Sequence, residues 1–217
     1  MIKIINTKEL IKLYKKGYFP MAENAYVNNI NFFLPKKRFI IPIEEFHVPK
    51  KLIQEIKKNR FEFKINSNFE FVIDSCAMKR RGESDTWING IIKNTYIELH
   101  KEGYAKSIEC YYNDKIVGGL YGIYIGKAFF GESMFSTMSN TSKLCLVYLV
   151  SLLKENKFTL LDSQFFNSHL IQFGAYEISN NDYQLKLKKS TYIKSSFPTK
   201  FRSQKSSEIL QSISQTS

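Results

Sequence analysis

The stretch GGLYGIYIGKAFFGESMFS, residues 118–136, decides how this chain folds. It reads as two apolar strands rich in aromatic and β-branched residues, joined by a turn at Gly126-Lys127. Just upstream, AKSIECYYN supplies a further strand and Asn113-Asp114 a second turn, so residues 105–136 form an antiparallel meander. One carboxylate, Glu132, stands in the last strand among Phe129, Phe130, Met134 and Phe135. Burying it without a partner is costly. A core Lys or Arg would pair with it, Lys143, one segment later, being one candidate, and on that reading Glu132 is a core ion pair.

Working outward, SNTSKLCLVYLVSLLKENKF (139–158) is a long helix capped by Asn140 or Thr141, and FTLLDSQF (158–165) is a buried strand. NSHLIQFGAYEI continues into a short helix and turn, and NDYQLKLKK closes the domain. On the N-terminal side, residues 7–17 form a helix capped by Thr7 and stopped by Gly17. A second helix covers 49–60, with Pro49 in its first turn. FEFKI reads as a strand, NFEFVIDSCA as a short helix, and INGIIKNTYIELHKEG as a helix ending at Gly103. Residues 18–42 are aromatic, carry three prolines and lack a period, which predicts a connector or lid. A meander, a helix and a further strand predict an α+β acyltransferase-like sheet. The division expected is a reduced N-terminal α/β portion (1–60), a catalytic domain (61–193) and a flexible tail rich in Ser, Lys and Gln (194–217).

The 217 residues suffice for a substantial core, but the net charge of +12 is unusual and points to a polyanionic partner, if it is not compositional drift. Lys50, Lys51, Lys57, Lys58 and Arg60 share one helix, and Lys79, Arg80 and Arg81 share a loop. Such runs are either solvated faces or a phosphate-binding surface. The three cysteines are far apart and form no CxxC, which suits a reducing cytoplasm. No secretory segment or bilayer span is expected, and three scattered histidines leave no metal site. No serine lies in GxSxG, so no conventional triad assembles. The junction MFSTMSNTSK has no glycine, which argues against a CoA-type cofactor.

In a strand, Asp162 and Gln164 would share a face, letting the carboxylate hold the amide while the amide oxygen accepts from an amine. Asp162 could instead cap the helix that follows. Trp87, the single tryptophan, either packs in the core or stacks on a planar ring.

Nine segments then fall in a telling order: GYFPM (17–21), FFLPKKR (32–38), TWI (86–88), LHKEGYAKSIE (99–109), VGGLYG (117–122), FFGESMFS (129–136), SK (142–143), LLDSQF (160–165) and FGAYEI (173–178). Together they resemble the bacterial leucyl/phenylalanyl-tRNA–protein transferases. The resemblance implies an acetyltransferase-like (GNAT-related) mixed sheet flanked by helices. It also implies transfer of Leu or Phe, with Met as a further donor, from aminoacyl-tRNA to the N-terminal Lys or Arg of a protein, creating a degradation signal. The implied catalytic residues are Asp162, Gln164 and Glu132, with Glu132 close to the incoming acceptor. Trp87, Leu120, Phe129, Met134, Leu149, Leu153 and Leu161 are the implied aminoacyl pocket, Met21 and Trp87 the adenosine site. Lys50, Lys51, Lys57, Lys58 and Arg60 would face the tRNA. A cytoplasmic monomer is expected, with aminoacyl-tRNA as co-substrate, no cofactor and no membrane. Met21 stands where the family has Trp, FFLP where it has WWSP, and Lys106 where it has His; the front end is short for the family. A transferase with other acceptors, such as acidic N-termini, and a non-catalytic tRNA-binding module are the rival readings.

Overall fold

A computed structural model describes residues 3–78, 86–202 and 205–214. In chain order, α1 (Thr7–Lys15) leads to a hairpin of β1 (Phe19–Ala22) and β2 (Ile30–Phe33), then β3 (Lys37–Ile41), α2 (Lys50–Lys57), β4 (Glu62–Ile65), α3 (Phe69–Ala77) and α4 (Gly90–Lys101). The meander follows as β5 (Ala105–Tyr112), β6 (Lys115–Ile125) and β7 (Ala128–Ser136). After it come α5 (Thr141–Glu155), β8 (Leu160–Asp162), α6 (Ser168–Ile171), β9 (Tyr176–Ser179), α7 (Asn180–Tyr192) and α8 (Ser206–Ser214).

The main sheet has seven strands in the order β4-β5-β6-β7-β8-β3-β9. Every pairing is antiparallel except β7 with β8, which α5 connects. A parallel pair needs such a crossover. The meander forms as its turn residues dictate, with Asn113, Asp114 and Gly126 in the left-handed region. On one face, Leu52 and Ile56 of α2 and Ile209 and Ile213 of α8 pack with α5, which is buried almost all round from Leu144 to Leu153. Leu10 and Tyr14 of α1, Val72 of α3, Tyr96 of α4 and Leu187 of α7 cover the other face.

Four expectations change. Residues 18–42 are not an irregular connector: their aromatic pairs register Phe19 against Phe33, and β3 enters the main sheet. The N-terminal portion therefore does not end as a separate unit at residue 60; its strand β3 lies between β8 and β9 in the main sheet. The tail is not loose from 205 to 214, because α8 buries Ile209 and Ile213 and Ser212 bonds Ser151 at 2.6 Å. Phe197 also packs on Phe129. Its short apolar period is diluted by Ser and Gln, which hides it in composition. The cap of α1 is Asn6 rather than Thr7, whose hydroxyl donates to Glu102. Among the described residues no helix is long and apolar enough to cross a membrane.

Candidate functional site

The site begins where two strands part. β7 and β8 pair only from Ala128↔Leu160 to Phe130↔Asp162. β8 then ends, while β7 runs on along β6. At the parting point Tyr121 faces Ser133 and Gly122 faces Gly131, so Glu132 is the extra residue of a β-bulge. A bulge bends a strand and re-aims its side chain. Gly122 makes this possible, since a Cβ there would lie 2.2 Å from the Phe130 carbonyl oxygen. The bulge turns Glu132 to the side of the sheet held by α1 and α4.

There, Glu132 Oε1 accepts the Tyr14 hydroxyl at 2.7 Å and the Gln164 amide at 3.0 Å. Tyr96 in turn bonds Tyr14. Oε2 is buried and, among the described residues, has no hydrogen-bond partner; the same is true of the Tyr121 hydroxyl. Burial pushes the Glu132 carboxyl up to about 7 despite hydrogen bonds from Tyr14, Gln164 and Tyr96, and the Asp162 charge raises it further. Burial likewise raises the Tyr14, Tyr96 and Tyr121 hydroxyls, each also opposed by the Glu132 charge. Lys143 is not the partner of Glu132; it lines a separate groove.

Asp162 is bound elsewhere. Arg38, 1% exposed, donates to it from Nε at 2.8 Å and Nη2 at 2.6 Å, and the Tyr183 hydroxyl donates at 2.7 Å. The guanidinium lies between the rings of Phe19 (4.6 Å) and Tyr183 (4.5 Å) and gives Nη1 to the Gly17 carbonyl. Burial pulls the Arg38 pKa down, but Asp162 more than offsets it and the net shift is upward. The expected brace between the Asp162 and Gln164 side chains is absent. β8 stops at Asp162, and Gln164 takes a left-handed backbone (φ 68°), which breaks the strand alternation. Asp162 Oδ1 instead holds the Gln164 backbone N–H at 2.8 Å, and β3 pins the same turn through Ser163 N–H to Phe39 O. Glu132 holds the Gln164 amide. A carboxylate accepts only, so the amide NH2 faces it and the amide oxygen points away.

A cavity of about 220 Å3 opens at the parting of the strands. Trp87, Leu120, Met134, Leu149 and Leu161 line it, as do Glu132 and Asp162. Ile41, Leu146 and Leu170 complete its oily wall and escaped the sequence reading. Phe129 and Leu153 do not line it: both are 0% exposed in the core behind it. Gln164, 6% exposed, stands beside the cavity, behind Glu132. Met21 is not on the wall either; like Trp87, it packs against the core under α1 and α4, and the neighbouring Ala22 N–H donates to the Trp87 carbonyl. The five basic residues of α2 and its C-terminal end are exposed, but Lys58 and Arg60 both pair with Glu55 at 2.6 Å. Lys79, Arg80 and Arg81 lie outside the described residues.

Comparison with known proteins bears on this arrangement. The family pattern described as Leucyl/phenylalanyl-tRNA protein transferase matches residues 40–188. The chain belongs to the leucyl/phenylalanyl-tRNA protein transferase family. A relative of that name from Zymomonas mobilis is 44% identical over 188 residues, 87% of this chain and 70% of its own. The relative from Caulobacter vibrioides is 41% identical over 209 residues, 96% of each chain. Among solved structures, L-PGS from Bacillus licheniformis aligns over 83% of this chain and 62% of its own, at 14% identity and a TM-score of 0.41, too slight to argue from. As a member of this transferase family the chain is an aminoacyltransferase, and its sheet is a mixed α+β one flanked by helices.

Proposed function

We propose that this transferase moves Leu, Phe or Met from its tRNA ester to the N-terminal amine of a protein beginning with Lys or Arg. The observation that carries the reading is that one cavity joins an oily slot to Glu132. The donor side chain fills the slot between Leu120, Met134, Leu149 and Leu161, with the terminal adenosine toward Trp87 and Met21. The ester is already activated, so no enzyme nucleophile is needed, and holding amine and carbonyl together supplies much of the rate. The amine adds to the ester carbonyl, its C–N bond forms and the bond to the ribose oxygen breaks. Glu132 takes the proton from the amine and hands it on to the ribose oxygen, which leaves as a hydroxyl. A carboxyl titrating near 7 suits that role. Because Arg38 neutralises Asp162, Glu132 is the uncompensated charge of the wall, which favours a cationic acceptor and repels an acidic one.

The family resemblance supports the remainder: exposed Lys50, Lys51 and Lys57 of α2 meet tRNA, no cofactor is used, and a cytoplasmic monomer marks its acceptors for degradation. The bulge at Glu132 and the parting of β7 from parallel β8 support an acetyltransferase-like (GNAT-related) sheet.

Single-turnover transfer from Leu-tRNA to peptides starting with Arg, Lys, Asp and Glu tests the assignment. Products on Arg and Lys alone are expected; tRNA binding with no product on any peptide would overturn it. Donor choice should be graded. Ile, branched at Cβ, meets the slot wall early, and a misplaced methyl costs about 1–3 kcal/mol. Transfer from Ile-tRNA should therefore fall about tenfold or more below Leu-tRNA, and equal rates would refute the slot.

Gln164→Ala keeps a Cβ at the left-handed position and removes only the amide. Loss of one net hydrogen bond, about 1.4 kcal/mol, predicts roughly tenfold slower single-turnover transfer. An unchanged rate would show that the Gln164 bond to Glu132 does not contribute to transfer.

A further inference from the structure

Next to the aminoacyl cavity lies a larger groove of about 650 Å3, and Met134, Asn167 and Leu170 line both. The groove runs from α3 to the start of α5. Among the described residues its lining contains no Asp or Glu, and Lys143 is its cation, with no carboxylate partner there. Phe71 of α3, 42% exposed, offers a ring edge-on to Phe135, 6.0 Å between centroids. Ser136 and Ser142 add hydroxyls at the same end.

Resting on the reading above, we propose that this groove receives the unpaired nucleotides that precede the terminal adenosine of the tRNA. The aminoacyl group in the cavity is esterified to the last ribose, so the preceding nucleotides must leave through an adjoining opening, and this groove shares a wall with the cavity. A cation, hydroxyl donors and an exposed aromatic ring are the equipment of single-strand recognition, where phosphates meet charge and bases stack. The absence of any acid among the described lining residues disfavours the other candidate, an acceptor polypeptide headed by Lys or Arg. Position agrees too: Ile56 and Arg60 at the end of α2 share a small cleft with Leu144 and Tyr148 of α5. The basic face of α2 thus lies near the helix that carries Lys143.

The test uses two donors on the full chain: Leu-tRNA, and 3′-O-leucyladenosine, which lacks the preceding nucleotides. Lys143→Ala and Phe71→Ala are each expected to raise KM for Leu-tRNA about tenfold. Lys143→Ala should also flatten its salt dependence by about 0.7 of a log unit per log unit of salt, one single-strand phosphate. Transfer from leucyladenosine and the peptide KM should stay within about twofold of the parent. Equal losses with both donors, or a raised peptide KM, would give the groove to the acceptor and overturn the proposal. No change with either donor would show that it is empty during transfer. If the unaltered chain transfers from neither donor, the functional reading fails rather than the groove.

Discussion

Glu132→Gln is expected to fold more firmly than the parent while transferring at least about a hundredfold more slowly, the lower bound for a positioned acid-base group. The two effects share one cause. Burial lifts the folded-state carboxyl to about 7 from an ordinary 4.5. The folded chain therefore holds the proton more tightly than the unfolded chain. Stability from this group is fully present below pH 4.5 and is lost as pH climbs to 7. The loss is on the order of 3 kcal/mol, at 1.36 kcal/mol per pKa unit. A neutral Gln keeps a carbonyl for the Tyr14 hydroxyl and avoids the buried charge. Urea unfolding should show parent and variant close at pH 4 and the variant ahead at pH 8. Normal transfer by Glu132→Gln would make Glu132 a structural residue, whatever the unfolding curves show.

Arg38→Ala should be more damaging to the fold than any other single change at the site. It strips Asp162, which is 0% exposed, of its ion pair and leaves a cavity between Phe19 and Tyr183. Breaking a buried pair by removing one partner costs about 3–5 kcal/mol. Arg38→Lys restores charge but neither the two-pronged contact nor the flat stacking between rings, so it should recover only part of the loss. The Gln164 turn hangs on Asp162, so transfer should fall in the residual folded protein as well. Thermal unfolding and single-turnover transfer at 15 °C separate the two. A drop in stability below about 1 kcal/mol would mean that Asp162 finds another partner.

The meander was legible because each strand is long, apolar and closed by residues that accept the turn. Helix α5 was legible from its length. Five of the seven expected pocket residues do share one cavity wall, yet Phe129 and Leu153 sit a layer too deep, because the motif gives residue type and not depth. The partners of Glu132 were not legible. Tyr14, Tyr96 and Gln164 come from helix α1, helix α4 and the turn after β8, and a hydroxyl in an amphipathic helix looks like ordinary core. Arg38 did leave a signal: a lone arginine opening the apolar run FII needs a buried acid, and Asp162 ends the other short apolar strand. What the chain could not reveal was that β3 would lie between β8 and β9, since those strands are 124 positions away in the Arg38–Asp162 bond.

That insertion has a bearing on when the protein becomes competent. A growing polypeptide that has emerged only through the meander has neither α5 and α8, against which α2 packs, nor β8 with the counter-ion of Arg38. Ribosome-bound or truncated forms ending before residue 160 would thus lack the finished site, and activity would arrive only when the end of the chain joins its beginning.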